Sequence, residues 1–328
     1  MEEILFKTRL FKECKQMRGV GVFEFGGPEV LQVTDLPEVH AGPGEVRVRV
    51  HAAAVSPTDT GLRSGVRAEE LRKNPPPYVP GMDAAGVIDE IGPGTDTDLT
   101  VGSSVMAMVV PNGSHGAYRE SIVLSADSVA KAPEGFSHAE ASTLPMNGLT
   151  ARLSLDELAL KPGQTIAVTG AAGAYGGYVI QIAKNEGLKV IADSSPADED
   201  LVRALGADVI VPRGDDFSEQ VRKIVPEGVD GLADGAVLSE LAVGAIRDGG
   251  AFAAVRFWGG NGERDITFHR TMVRDYNHRS DLLDQLRQLA EDKIVTLRVA
   301  GTYEAEQAGE AHSRLQAGGT RGRCVIVF

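Results

Sequence analysis

The stretch Thr165 to Gly187, TIAVTGAAGAYGGYVIQIAKNEG, constrains the fold of this chain more than any other. Thr165 to Thr169 is a short β-branched and apolar run, bounded by Pro162-Gly163 before it and by glycines at 170, 173, 176 and 177 after it. It reads as a buried strand. Val179, Ile182 and Ala183 then recur at helical spacing, and Lys184 with Gly187 marks the end of a helix. A strand, a glycine turn and a helix in that order gather backbone N–H groups at a helix N-terminus, where the peptide dipoles favour negative charge. The prediction is a pyrophosphate site around Ala172, Gly173, Ala174, Tyr175 and Gly176. Gly173 allows close backbone approach, and Gly176 lets the helix lie against its strand. Ala171 replaces the first glycine of the G-x-G-x-x-G pattern. A glycine turn alone also suits a purely structural bend. The next strand favours a dinucleotide, because Lys189 to Ala192 ends in Asp193, twenty residues beyond Gly173, where a ribose-binding acid belongs.

The rest of the chain is consistent with a two-domain globular protein: 328 residues, 42% apolar and 24% charged. No apolar run is long enough to span a bilayer and no stretch resembles a secretory signal, so a cytoplasmic protein with no membrane partner is expected. The two cysteines, Cys14 and Cys324, are too few for a disulfide scaffold or a cysteine-built zinc site. A net charge of −13 disfavours nucleic acid as a partner.

Residues 1–16 precede the first clear strand periodicity and read as an N-terminal extension. From Arg18 to about Ala130 the pattern is of many short strands: Val20 to Phe25, Val30 to Val33, Val46 to Val55, Val87 to Ile91, Ser104 to Val110 and Tyr118 to Leu124. Glycine-proline turns separate them, which predicts a compact β-barrel-like domain. Arg63 to Tyr78, ending in three prolines, reads as a surface loop. Ser137 with Glu140 forms a capping box, after which Pro145 should interrupt the helix, and a second helix covers Asn147 to Leu158. Strands at 189–192, 208–211, 231–234 and 251–256 then alternate with helices near 198–205, 216–225 and 238–247. Such alternation means a parallel sheet with helices on both faces. Its ligand belongs at the carboxyl ends of the strands, near Gly170 to Gly176, Asp193, Asp234-Gly235 and Val255 to Gly260. A helix from about Asn277, a strand, another helix and the strand Cys324 to Phe328 complete the chain.

The order of GVFEFGGPEVLQV, AAVSPTDTGLRSG, PGMDAAGVIDEIG, the AAGAYGG turn and EAHSRLQAGGTRGRCVIVF resembles the medium-chain dehydrogenase/reductase superfamily over residues 17–328. Within it the chain is similar to the zinc-independent quinone oxidoreductase branch. The resemblance implies a Rossmann doubly wound parallel sheet, residues 147–277, inserted into a GroES-like β-barrel catalytic domain, residues 17–146 plus 278–328. In the zinc-bearing alcohol dehydrogenases of the superfamily, a cysteine stands at the position of Ser56 and a histidine at that of Met82. Neither side chain here suits zinc, so a metal-free site is expected.

Without a metal, hydrogen-bond donors must stabilise the charge that develops on the acceptor. The resemblance implies Ser56 and Thr58 for this work, with merely turn-satisfying hydroxyls as the alternative. Tyr175 stands where relatives usually carry valine; it could donate a proton, flank the nicotinamide or simply fill the cleft. By the same resemblance Asn147 and Thr150 meet the nicotinamide and Arg323 the pyrophosphate, while Arg213 could reach the adenosine end. Asp193 favours NADH on charge, whereas the A-x-G-x-x-G turn followed by Ser194-Ser195-Pro196 resembles NADPH enzymes. NADPH is the expected cofactor, with NADH the alternative. The implied reaction is hydride transfer to a quinone or an α,β-unsaturated carbonyl by a homodimer. An enoyl or tailoring reductase of polyketide metabolism, and a non-catalytic nucleotide- or RNA-binding relative, are the alternative readings.

Overall fold

The computed structural model of the chain describes residues 16–328. The expected extension over 1–16 thus lies outside the described residues, apart from Gln16. In the first half the strands are β1 (Gln16–Gly21), β2 (Gln32–Pro37), β3 (Glu45–Ala54), β4 (Asp83–Ile91), β5 (Ser104–Met108), β6 (Ser121–Ser125) and β7 (Val129–Lys131). There follow β8 (Thr165–Thr169), β9 (Lys189–Ser194), β10 (Val209–Pro212), β11 (Val229–Asp234), β12 (Ile246–Ala254), β13 (Thr267–Arg270), β14 (Val299–Glu304) and β15 (Arg323–Val327). The described residues form two compact units, one of residues 16–131, 301–318 and 324–328 and the other of 132–300 and 319–323.

In the first unit β1 pairs antiparallel with β2, and β15, β3, β4, β5, β6 and β7 pair antiparallel with one another. Its main sheet runs β14-β15-β3-β4-β5-β7, with β6 also paired to β3. Val46, Val48 and Val50 of β3 are buried while Arg47 and Arg49 between them are not, the period of two that a half-buried strand requires. The valines join Ile88, Val105, Ile122, Cys324 and Ile326 in one apolar core. On the outer face Arg47 Nε donates to Asp89 on β4 at 2.8 Å.

The second unit is the parallel sheet expected from the alternating pattern, in the order β10-β9-β8-β11-β12-β13. The first strand in sequence thus lies between the second and the fourth, the doubly wound order whose switch point falls between β8 and β11. Ile166 to Thr169 are all buried, as a strand covered on both faces must be. Ala167, Leu232, Ile191 and Phe252 pack with Phe217 and Val221 of the helix Phe217–Ile224. Burying each large apolar side chain contributes roughly 1.5–3 kcal/mol.

Several elements depart from expectation for local reasons. The strand expected at Val20 to Phe25 is β1, ending at Gly21; Val22 makes only an isolated bridge to Tyr78, and Gly27-Pro28 leads into a 3₁₀ turn over Pro28–Val30. The loop expected over 63–78 contains a short helix, Ala68–Leu71, because Leu71 packs with Val22, Leu62 and Tyr78. The capping-box helix, His138–Ala141, does end before Pro145, but the second helix, Pro145–Leu158, begins at Pro145 itself, not at Asn147, because at the first turn the missing N–H costs nothing. The helix expected over 238–247 shrinks to Glu240–Val243, since Val237 and Ser239 take left-handed φ values of 61° and 52° and β12 begins at Ile246. Strand β13 was not expected.

Candidate active site

The glycine turn is built as its residues dictate. Gly170 sits at φ 68°, a conformation that costs glycine little, and its carbonyl accepts the N–H of Gly173 at 2.9 Å. Gly173 caps the helix Ala174–Asn185. A Cβ on Gly176 would lie 2.4 Å from the Gly170 oxygen, so this approach excludes any side chain. The first N–H groups of the helix have no intrahelical acceptor, which leaves them for an anion. Arg298 braces the turn from behind, donating to the carbonyls of Ala172 at 3.0 Å and Gly173 at 2.7 Å. No periodicity or motif marks Arg298, and sequence reasoning missed it.

Asp193 lies at the end of β9, almost wholly buried at 1% exposure. Its Oδ1 accepts the N–H of Ala171 at 2.9 Å, tying the acid to the turn. Its Oδ2 makes no hydrogen bond, although Arg213 Nε is 3.4 Å away, close enough for charge attraction without the alignment a bond needs. One carboxylate oxygen is therefore buried without a hydrogen bond. Ser194 is buried and spends its hydroxyl on the Ser195 carbonyl at 2.9 Å. Arg213 follows β10, its backbone N–H bonded to the Ser194 carbonyl at 2.9 Å, and its side chain is 43% exposed. Asp198 is satisfied by both nitrogens of an Arg321 fork and by Ser195 Oγ at 2.5 Å. The Arg321 bond and Ser195 hold its carboxyl below the usual range against the cost of burial. Asp198 and Arg321 thus cancel each other. Neither was singled out as a pair from the sequence, since 123 residues separate them.

At the switch point Thr169 Oγ1 donates to Asp234 at 2.6 Å, and Asp234 also accepts the N–H groups of Leu238 and Ser239. Gly235 follows, with the Tyr175 ring over it: a Cβ there would meet that ring at 2.8 Å. Tyr175 OH is 2.7 Å from Ser154 Oγ, and burial raises its pKa above that of a free phenol. Asn147 and Thr150 lie on the same helix as Ser154; the Thr150 hydroxyl bonds back to the Met146 carbonyl at 2.6 Å. Val255 directly follows β12, and Phe257 two residues on is 67% exposed at φ 60°. An exposed aromatic held in a disfavoured backbone region at the ligand edge of the sheet is a further feature the sequence did not disclose. Arg323 is 4% exposed and donates to the Thr143 carbonyl at 3.3 Å. So Ala172 to Gly176, Asp193, Ser194, Arg213 and Gly235 are gathered at the carboxyl ends of β8 to β11, while the Arg323 guanidinium spends at least one donor on backbone.

In the antiparallel unit, Ser56 is fully buried and caps the helix Pro57–Ser64 through a capping box with Asp59. Asp59 is buried too and accepts from Ser56 N at 2.8 Å, Gly81 N at 2.9 Å and Tyr118 OH at 3.3 Å. It is a structural acid. Thr58 is exposed and donates to the Met82 sulfur at 3.0 Å. A hydroxyl and a thioether are poor partners for zinc, and among the described residues no cluster of His, Cys, Asp and Glu has metal-binding geometry.

This pairing of an antiparallel unit with a doubly wound nucleotide fold defines a class, and comparison with known proteins identifies it. Residues 42–134 match the family described as "Alcohol dehydrogenase GroES-like domain", and residues 205–326 match "Zinc-binding dehydrogenase". The human quinone oxidoreductase is 28% identical over 96% of this chain and 98% of its own length. An Arabidopsis thaliana NADPH-dependent alkenal/one oxidoreductase is 30% identical over 74% of this chain and 63% of its own. A solved mycobacterial structure complexed with NADPH is 27% identical, with a TM-score of 0.84 over 95% of this chain and all of that one. The chain belongs to the medium-chain dehydrogenase/reductase superfamily of oxidoreductases, in its quinone oxidoreductase-like branch.

Proposed function

We propose that the chain is a zinc-independent, NADPH-dependent reductase of quinones or α,β-unsaturated carbonyls. The observation that carries the reading is the glycine turn, whose Gly176 tolerates no side chain and whose helix N-terminus is open to a pyrophosphate. The bound nicotinamide would supply the hydride. Ala172 to Gly176 would hold the diphosphate, Asp193, Ser194 and Arg213 the adenosine ribose, and Asn147, Thr150 and Val255 the nicotinamide end. Ser56 and Thr58 are the proposed donors to the acceptor oxygen, because hydroxyls can stabilise developing negative charge where no metal does so. The donor set of Ser56, Thr58 and Met82 does not fit zinc, and no step is routed through a metal.

Between the two reduced cofactors, the alkenal/one oxidoreductase and the NADPH-bound mycobacterial relative support NADPH. Arg213 supports it too, as a half-exposed cation beside Asp193 that would meet a 2′-phosphate. Asp193 opposes it through its unbonded oxygen. A homodimer joined through an edge of the parallel sheet and a cytoplasmic location complete the reading.

Titration of NADPH and NADH by reduced-nicotinamide fluorescence tests it, followed by turnover with quinone and enone panels. NADPH should bind at least ~10-fold more tightly, a difference of about 1.4 kcal/mol. Arg213→Ala should weaken NADPH alone, and Asp193→Ala should strengthen NADPH while weakening NADH. Tighter binding of NADH reverses the cofactor assignment, and turnover confined to thioester enoyl substrates would favour the polyketide-type reductase.

A further inference from the structure

Beneath the glycine turn lies a line of hydroxyls that the proposed reaction does not yet use. Tyr175 OH is 2.7 Å from Ser154 Oγ, Ser154 Oγ is 3.4 Å from Thr271 Oγ1, and Thr271 Oγ1 is 2.6 Å from Glu157 Oε2. Ser154 is fully buried and Thr271 nearly so, while Glu157 is half-buried. Tyr175 belongs to the first turn of the helix that caps the proposed diphosphate site, and its ring covers Gly235. Ser154 and Glu157 recur on Pro145–Leu158 at the spacing that places them on one face with Asn147 and Thr150. The line therefore runs from the cofactor residues to a carboxylate that reaches water.

We infer that Tyr175, Ser154, Thr271 and Glu157 form a proton relay that supplies the proton of the reduction, with Glu157 as its outer terminus. The inference rests on the reductase reading. An ionised carboxylate can only accept, so Thr271 must donate to it, Ser154 to Thr271 and Tyr175 to Ser154. Each hydroxyl then points outward. With Glu157 protonated, all four reverse and the Tyr175 hydroxyl turns its proton toward the acceptor. A two-electron reduction adds one hydride and one proton. As the acceptor O–H bond forms, the Tyr175 O–H bond breaks; the Ser154 proton moves to Tyr175, that of Thr271 to Ser154 and that of Glu157 to Thr271. Glu157 is left ionised and recovers its proton from water, so charge and atoms balance. Burial keeps the phenol protonated, so the relay passes neutral hydroxyls rather than a phenolate. The long Ser154–Thr271 link is the one that must contract, as catalytic hydrogen bonds do on ligand binding.

The test compares Tyr175→Phe, Thr271→Val, Thr271→Ser and Glu157→Gln with the wild type at saturating cofactor and quinone. The relay requires at least ~10-fold lower kcat in Tyr175→Phe, Thr271→Val and Glu157→Gln, recovery in Thr271→Ser, a solvent deuterium effect on kcat, and cofactor affinity within about twofold of wild type. Unchanged kcat in Thr271→Val, or cofactor affinity lost in step with kcat, overturns it. Infrared spectroscopy gives a readout that needs no turnover. The carbonyl band of the protonated Glu157 carboxyl, assigned by its loss in Glu157→Gln, should shift in Tyr175→Phe. A band that Tyr175→Phe leaves in place overturns the relay, whereas a shifted band without quinone or enone turnover sinks the reductase reading and keeps the hydroxyl chain.

Discussion

His312 shows how a single side chain can tie stability to pH. It is fully buried, with Nε2 3.1 Å from Tyr118 OH and its ring edge-on to Tyr118 at 5.8 Å. Its Nδ1 has no partner, and burial, helped by the charge of Arg63, pushes its pKa down to about 3. In the unfolded chain a histidine titrates near ~6.5. The folded state therefore refuses a proton that the unfolded state accepts. The contribution is fully present above about pH 6.5 and is lost progressively as the pH falls toward 3. Thermal unfolding midpoints at neutral pH and near pH 5 check this: the wild type should lose more on acidification than His312→Gln, whose amide can still meet Tyr118. An equal loss in both proteins would show that His312 does not govern the acid limb. Arg63 adds to the effect, since its Nε and Nη1 are buried without hydrogen-bond partners and only Nη2 reaches Gln316, at 3.0 Å.

At the scale of elements, the glycine turn was legible because its requirement is local. Gly170 needs a left-handed φ and Gly176 a missing Cβ, and both needs are written in residue type. The strand-helix alternation was legible for the same reason, through hydrophobic period. What escaped depends on partners far away in sequence: Arg298 bracing Ala172 and Gly173, Arg321 neutralising Asp198, and Thr271 completing the hydroxyl line. Strand β13 escaped because Thr267 to Arg270 carries too few apolar residues to declare itself until Phe268 packs on Phe252 and Trp258, with ring centroids 5.8 and 5.3 Å away. Helix 238–247 was overestimated because the apolar residues of that segment also suit the start of β12. The turn makes a direct prediction. In Gly176→Val the new Cβ would stand 2.4 Å from the Gly170 oxygen and 2.9 Å from the Ala171 Cα, both backbone atoms that cannot swing away. The strand-to-helix junction must open, at a cost of about 1–3 kcal/mol in stability. Cofactor affinity should fall at least ~10-fold, or about 1.4 kcal/mol. Fluorescence titration beside a urea melt separates the two effects, and wild-type affinity in a destabilised variant would detach this glycine from the phosphate site.

For the whole molecule the open question is how the parallel sheet ends. Its two edges are β10 and β13. Strand β10 finishes in Pro212, which has no N–H to offer a neighbour. Strand β13 contains no proline and, among the described residues, pairs only with β12, which leaves its other edge without a partner strand there. An unpaired edge is a template for a second strand, and two copies related by a twofold axis would satisfy it antiparallel. The proposed homodimer should therefore form through β13. Successive N–H groups of a strand point to opposite sides, so of His269→Pro and Arg270→Pro one removes a bond to β12 and the other a bond to the partner copy. Sedimentation velocity at micromolar concentration should give a dimer for the wild type. One of the two variants should sediment as a monomer that still binds reduced cofactor, because the glycine turn and Asp193 lie across the sheet on β8 and β9. A wild-type monomer, or two proline variants that remain dimeric, would move the interface away from this edge.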